Sequence, residues 1–330
     1  MKRGISLFLA IVMGVLLILP FTKTPFNVSV NAANEEYLTF TLNEDGEYKV
    51  PRIAIRMEYG QIAEIRGVAS NQNIEPEMET VVEEKLKEFP DREEYYKKVN
   101  DMKQLTTIYK KHKNKEELTV EELKFLYEID YKIDGFGYGK DPRINEIKER
   151  IGSTKEILAL LYDLNVEDIA LDKYEINDNT KLFFGDLDYR EMIEIENKVL
   201  PQNIKGNLFM NNVQNIHNVN MPKTISGSLY LTELTNAEEL ILPEHIGKDL
   251  GLTELTSAEG ITFPKFIGGT LYLTNLKSAK GLILPENVKE LYAKSLTNAE
   301  GLVIPENFSG SLNLNGLTSA KGLILPDNFN

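Results

Sequence analysis

Prolines recur at positions 201, 222, 243, 264, 285, 305 and 326, at spacings of 21, 21, 21, 21, 20 and 21. So regular a period constrains the chain more than its composition does, because it requires one structural unit used repeatedly. Aligned on the prolines, each unit reads roughly G-x-L-x-L-x-x-L-x-x-A-x-x-L-x-L-P-x-x-[IVF]. The first apolar column is Leu187, Leu208, Leu229, Leu250, Leu271, Leu291 and Leu312; the second is Tyr189, Met210, Leu231, Leu252, Leu273, Ala293 and Leu314. Met192, Val213, Leu234, Leu255, Leu276, Leu296 and Leu317 follow, then Ala237, Ala258, Ala279, Ala299 and Ala320. A unit this short cannot bury its own apolar face. Coils stacked about 4.8 Å apart place each apolar position over its equivalent, so the columns become a core and backbone groups pair between coils. Seven coils over residues 187–330, the first divergent and the last truncated, would form a rod roughly 30–35 Å long.

Glycines 260, 281, 301 and 322 each follow Ala-Glu or Ala-Lys, where a turn of positive φ suits a residue without Cβ. Each proline is expected to close a short strand, where its missing donor is harmless. With its L-x-L opening and later L-P, the array resembles the leucine-rich-repeat class, and is most similar to the surface-antigen type of bacterial repeat. That resemblance implies a solenoid that binds partners. It departs from the class where the usual asparagine after the strand is Val, Leu or Met here. Asn236, Ser257, Ser278, Asn298 and Ser319 are the candidates to replace that ladder. Whether a coil holds one strand or two is left open.

The chain before the array divides into three. Met1-Lys2-Arg3, the apolar run Ile5–Leu19 and the small residues of Val30-Asn31-Ala32 have the form of an export signal over 1–32. About 15 apolar residues is short for a bilayer span, which needs roughly 20, so membrane contact is expected only through this segment if it stays uncleaved. Residues 33–78 read as a small β element with a linker at 69–78: Tyr37–Leu42 and Ile53, Ile55, Met57 alternate, and Asp45-Gly46 supplies turn chemistry. Residues 79–186 read as a mainly helical region capping the array. Asp91-x-x-Glu94, Thr119-x-x-Glu122 and Ser153-x-x-Glu156 have capping-box form, and Asp141-Pro142 opens a further helix. Tyr95, Val99, Met102, Leu105 or Thr106, and Tyr109 fall on one helical face, and Lys110–Lys113 suits a helix C-terminus. GFGYGKDP, from Gly135, lacks phosphate-loop spacing and reads as an inter-helix turn. The expected fold class is therefore α+β, with a small β element and helices followed by a leucine-rich-repeat-like β-solenoid.

Composition bears mainly on function. The absence of cysteine excludes disulfides, thiolate metal sites and a cysteine nucleophile, and His112, His217 and His245 lie too far apart in sequence for a helical metal motif. No catalytic residue, metal or cofactor is expected. The formal charge is −14, made up of +3 on residues 1–32, −12 on residues 33–186 and −5 on 187–330. Such a balance argues against wrapping nucleic acid or coating an anionic membrane.

The middle side chain of each L-x-L must point away from the core. That row is Asp188, Phe209, Tyr230, Gly251, Tyr272, Tyr292 and Asn313. Beside it run Asn211, Thr232, Thr253, Thr274, Lys294 and Asn315 on one side, and Ser228, Asp249, Thr270, Glu290 and Ser311 on the other. An aromatic column flanked by short polar groups suits a binding face, so Phe209, Tyr230, Thr232, Tyr272, Thr274, Tyr292 and Asn313 are the candidate partner-binding residues. The expected function is recognition, at the cell surface or after secretion, of an extracellular protein or glycan. A second outward row, Ile241, Thr262, Ile283, Val303 and Ile324, is apolar enough for self-association. From a different class, the helical region could be an effector that the repeats address.

Overall fold

The computed structural model describes residues 26–30, 36–42, 48–58, 61–67, 74, 78–136, 139–235, 237, 240–285, 287–327 and 329. The apolar run at 5–19, the Asp45-Gly46 turn and most of 69–78 lie outside them. Two compact units emerge, Met1–Ile151 and Gly152–Asn330.

In the first unit, β1 (Phe26–Val30), β2 (Glu36–Leu42), β3 (Tyr48–Glu58) and β4 (Gln61–Gly67) form an antiparallel sheet in sequence order. The β2–β3 register shifts beside Phe40, which faces Pro51, a residue with no amide to give to the ladder. Alternation puts Ile53, Ile55 and Met57 on the buried face with Ile62, where they meet Met78, Val82, Leu86 and Tyr95 from the helical side. Four helices follow: α1 (Glu79–Leu86), α2 (Arg92–Lys113), α3 (Val120–Leu126) and α4 (Pro142–Arg150).

The helix starts differ from one another. Thr119 and Glu122 form the full capping box, and Asp141 caps Arg143 ahead of Pro142. Asp91 makes no cap bond. Its carboxylate accepts the Ile62 amide of β4 at 2.6 Å instead, tying helix to sheet. Ser153 also makes none. The most buried residues of α2 are Tyr95, Asp101, Leu105 and Ile108, while Val99, Met102, Thr106 and Tyr109 are only half-buried. The face is turned because Asp101 is satisfied inside, accepting from Lys97 Nζ at 2.7 Å and the Asp134 amide at 2.9 Å.

The second unit opens with α5 (Thr154–Tyr162), which packs beside β5 (Ile169–Ala170). From there the chain is a parallel β-solenoid with a period of about 21 residues. One ladder has six strands, β5, β6 (Leu182–Phe184), β9 (Asn203–Lys205), β12 (Thr224–Ile225), β14 (His245–Ile246) and β16 (Phe266–Ile267). The other has seven, β7 (Leu187–Asp188), β10 (Leu208–Phe209), β13 (Leu229–Tyr230), β15 (Leu250–Gly251), β17 (Thr270–Tyr272), β18 (Glu290–Tyr292) and β19 (Ser311–Asn313). A short third side pairs β8 (Glu194–Glu196) with β11 (Asn215–His217). Five coils thus carry two strands in the main ladders, and the strands of the six-stranded ladder follow the proline position instead of closing at it. The segment before the proline is pinned more sparsely, as at the Ile283–Val303 bridge.

The columns form one continuous core, with Leu208, Leu229, Leu250, Leu271 and Leu291 fully buried above one another. Toward the last coil burial falls, and Leu312, Leu314, Leu317 and Leu323 are only partly covered. The spacing of 20 also has a structural counterpart. Three residues separate Ile267 from Leu271, but only two separate Val288 from Leu291. The residue lost is at the place of Gly268, where a Cβ would lie 2.3 Å from the Gly247 carbonyl oxygen. The six-stranded ladder stops at β16, just before this short corner, while the other ladder continues.

Candidate functional site

The outward row lies in register across the seven-stranded ladder: Asp188, Phe209, Tyr230, Gly251, Tyr272, Tyr292 and Asn313 are successive partners. The residues on either side of each belong to the apolar core columns, so the sheet alternation aims this row at solvent. All but Gly251 are half-buried, each covered in part by its neighbours in the column.

The rings are organised as two pairs. Phe209 and Tyr230 stack at 5.7 Å with planes 4° apart, and Tyr272 and Tyr292 meet at 5.8 Å with planes tilted by 57°. Gly251 separates them. A Cβ there would stand 2.9 Å from Tyr230 Cδ1, so the ring leans over the glycine while its hydroxyl meets Asp249 Oδ2 at 3.3 Å. Cations cover the ring system at both ends. The Arg190 guanidinium is 5.1 Å from the Phe209 ring centre, and Lys294 Nζ is 4.6 Å from that of Tyr292, within the range for cation–π attraction. Arg190 also holds Asp188, with Nε at 3.0 Å from its carboxylate, and pulls the Asp188 pKa from 3.8 to about 2.

The flanks do different work from the row. Thr232 donates its hydroxyl to the Asn211 carbonyl at 3.0 Å, bracing one coil on the next, and Thr274 sits half-buried in the same column. On the other side, the Asp186 carboxylate accepts the Asn207 amide, Asn207 Oδ1 accepts the Ser228 amide, and Ser228 Oγ accepts that of Asp249. Asp249 Oδ1 then accepts the Thr270 amide at 2.9 Å. This is a polar spine, one acceptor per coil. It replaces the asparagine ladder, but not at the residues expected. Ser257, Ser278, Asn298 and Ser319 instead accept the amide two residues ahead within their own coil. They shape the corner at Gly260, Gly281, Gly301 and Gly322, whose φ values are 85°, 84°, 90° and 81°. Ser228 is accordingly buried and is no contact residue.

Sequence reasoning therefore brings together the residues that share the face, Lys294 included, but misses Arg190 and the cover that both cations give the end rings. The spine was visible as a column of short acceptors at 186, 207, 228 and 249. Among the described residues no group of three or more His, Asp or Glu is placed to hold a metal, and no helix is long and apolar enough to cross a membrane. The second outward row is exposed, Ile241 at 79 %, Ile283 at 61 %, Val303 at 49 % and Ile324 at 78 %. Compared with known proteins, the chain matches no family model, no curated protein and no solved structure.

Proposed function

We propose that this is an exported, non-enzymatic recognition protein of leucine-rich-repeat kinship, whose solenoid binds an extracellular protein along the Phe209–Asn313 row. The observation that carries the choice of a protein over a glycan is how the rings are covered. Sugars dock on free aromatic faces, but here Phe209 and Tyr230 turn faces to one another, and Arg190 and Lys294 lie over the rings of Phe209 and Tyr292. With its hydroxyls and short polar flanks the row is an amphipathic strip of the kind protein interfaces use. The test is capture of surface extracts by the full chain and by Tyr230→Ala/Tyr272→Ala/Tyr292→Ala, with extracts treated beforehand with protease or periodate. A protein partner is lost on protease treatment and by the triple variant. Capture abolished by periodate alone would favour a glycan, and equal capture by both chains would remove this face from the reading.

A second reading rests on the exposed β-branched row, which suits a second copy of this chain. Ile241→Lys/Ile324→Lys should then abolish concentration-dependent growth in sedimentation size. Export carries its own check. Cleavage after Ala32 would remove β1, so the mass of the secreted chain reports whether that strand persists.

A further inference from the structure

The N-terminal unit contains a groove of about 740 Å³ between β4 and α2, within the size range of small-molecule sites. Its floor is apolar, built from Ile65, Val99, Met102 and Phe136, the last 49 % exposed and resting on Tyr95 at 5.7 Å. Its edge is cationic, which is unexpected in a chain of net charge −14. Lys103 and Lys110 both line it, and two helical turns place them on one face about 10 Å apart. Three other lysines of the helix are engaged: Lys97 with Asp101, Lys111 with Glu122, and Lys113 with Glu146. Lys103 and Lys110 have no carboxylate within ion-pair reach among the described residues. The one carboxylate lining the groove, Glu64, is already paired with Arg56 at 3.4 Å.

We propose that this groove binds a free amphiphilic anion, an alkyl chain ending in a carboxylate, with the chain over Val99, Met102 and Phe136 and the head between Lys103 and Lys110. An apolar floor alone would accept any hydrophobe. The two lysines select the sign of the head, and the concave shape selects a single molecule over a flat lipid surface.

The test titrates the full chain calorimetrically with dodecanoate below its micelle concentration, beside dodecyltrimethylammonium. Saturable one-to-one binding of dodecanoate and at least tenfold weaker binding of the cation are expected. Lys103→Glu/Lys110→Glu should weaken dodecanoate binding tenfold or more. So should Thr107→Trp, which fills the groove from an exposed position, with circular dichroism unchanged in both variants. Equal binding of the two amphiphiles, or binding untouched by both variants, overturns the proposal. So does sedimentation with phosphatidylglycerol vesicles in the absence of dodecanoate binding, which would make the lysines a membrane contact.

Discussion

Single side chains decide how one coil is held on the next. Asp249 serves twice, accepting the Thr270 amide and meeting the Tyr230 hydroxyl. Asp249→Ala strands a partly buried donor and should cost about 1–3 kcal/mol in urea unfolding, with Tyr230 loosened over Gly251. Asp249→Asn, which keeps an acceptor oxygen, should recover most of it. Asp188 offers a charge test at the same face. Its pKa is depressed to about 2 by the hydrogen bonds from Arg190. Its contribution to stability is therefore present above the ordinary value and is lost as pH falls through about 2. The carboxyl carbon shift of Asp188 should titrate near 2 in wild type and return toward 3.8 in Arg190→Ala; an unchanged midpoint would disprove the pairing. The aromatic row was legible in the sequence because sheet alternation permits a single outward position in L-x-L. Arg190 was not, nor was the reach of Lys294 over its end ring, since long flexible side chains are placed by no spacing rule.

At the scale of elements, the same sequence pattern leads to different local structures. Thr119 makes both bonds of a capping box and Ser153 makes no cap bond. Thr119→Ala should thus cost about 1 kcal/mol, and Ser153→Ala should leave the unfolding midpoint of its unit nearly unmoved. Capping patterns were readable as helix starts in all three cases, yet tertiary demand decided which were used, and at Asp91 the sheet amide of Ile62 took the carboxylate. The solenoid strands show the complementary case. The period placed every core column correctly because identical coils must superpose. It left the second ladder unassigned, because the two- or three-residue strands after the first four prolines carry too few side chains to show an alternation. The corner serines were plausible ladder residues by type, but each lies two residues before a turn amide, and the local bond takes precedence.

Across the whole molecule, stability is distributed along the coil stack and not concentrated in one centre. Each coil rests on its neighbours, so opening should begin where burial is thinnest. Amides of 311–323 should exchange sooner than those of 208–273, where two ladders and a fully buried column coincide. Leu250→Ala, in mid-stack, should cost about 2–5 kcal/mol, whereas Leu323→Ala in the partly covered coil should cost much less. Comparable losses at the two sites would mean that the final coil is covered in solution.

The pairing of rings on either side of Gly251 also has an optical consequence. The chain contains no tryptophan, so tyrosine dominates its near-ultraviolet signal. Nearly parallel transition moments mix without generating much optical activity, whereas moments that are close and skewed generate a couplet. Of the two pairs, only Tyr272 and Tyr292 joins two like chromophores at a large tilt. Their couplet should disappear in Tyr292→Leu, and any occupant that rotates either ring should change it. The outward aromatic row thus carries its own chromophore pair, and any docking on it would be read in unlabelled protein as a change in the difference between wild type and Tyr292→Leu.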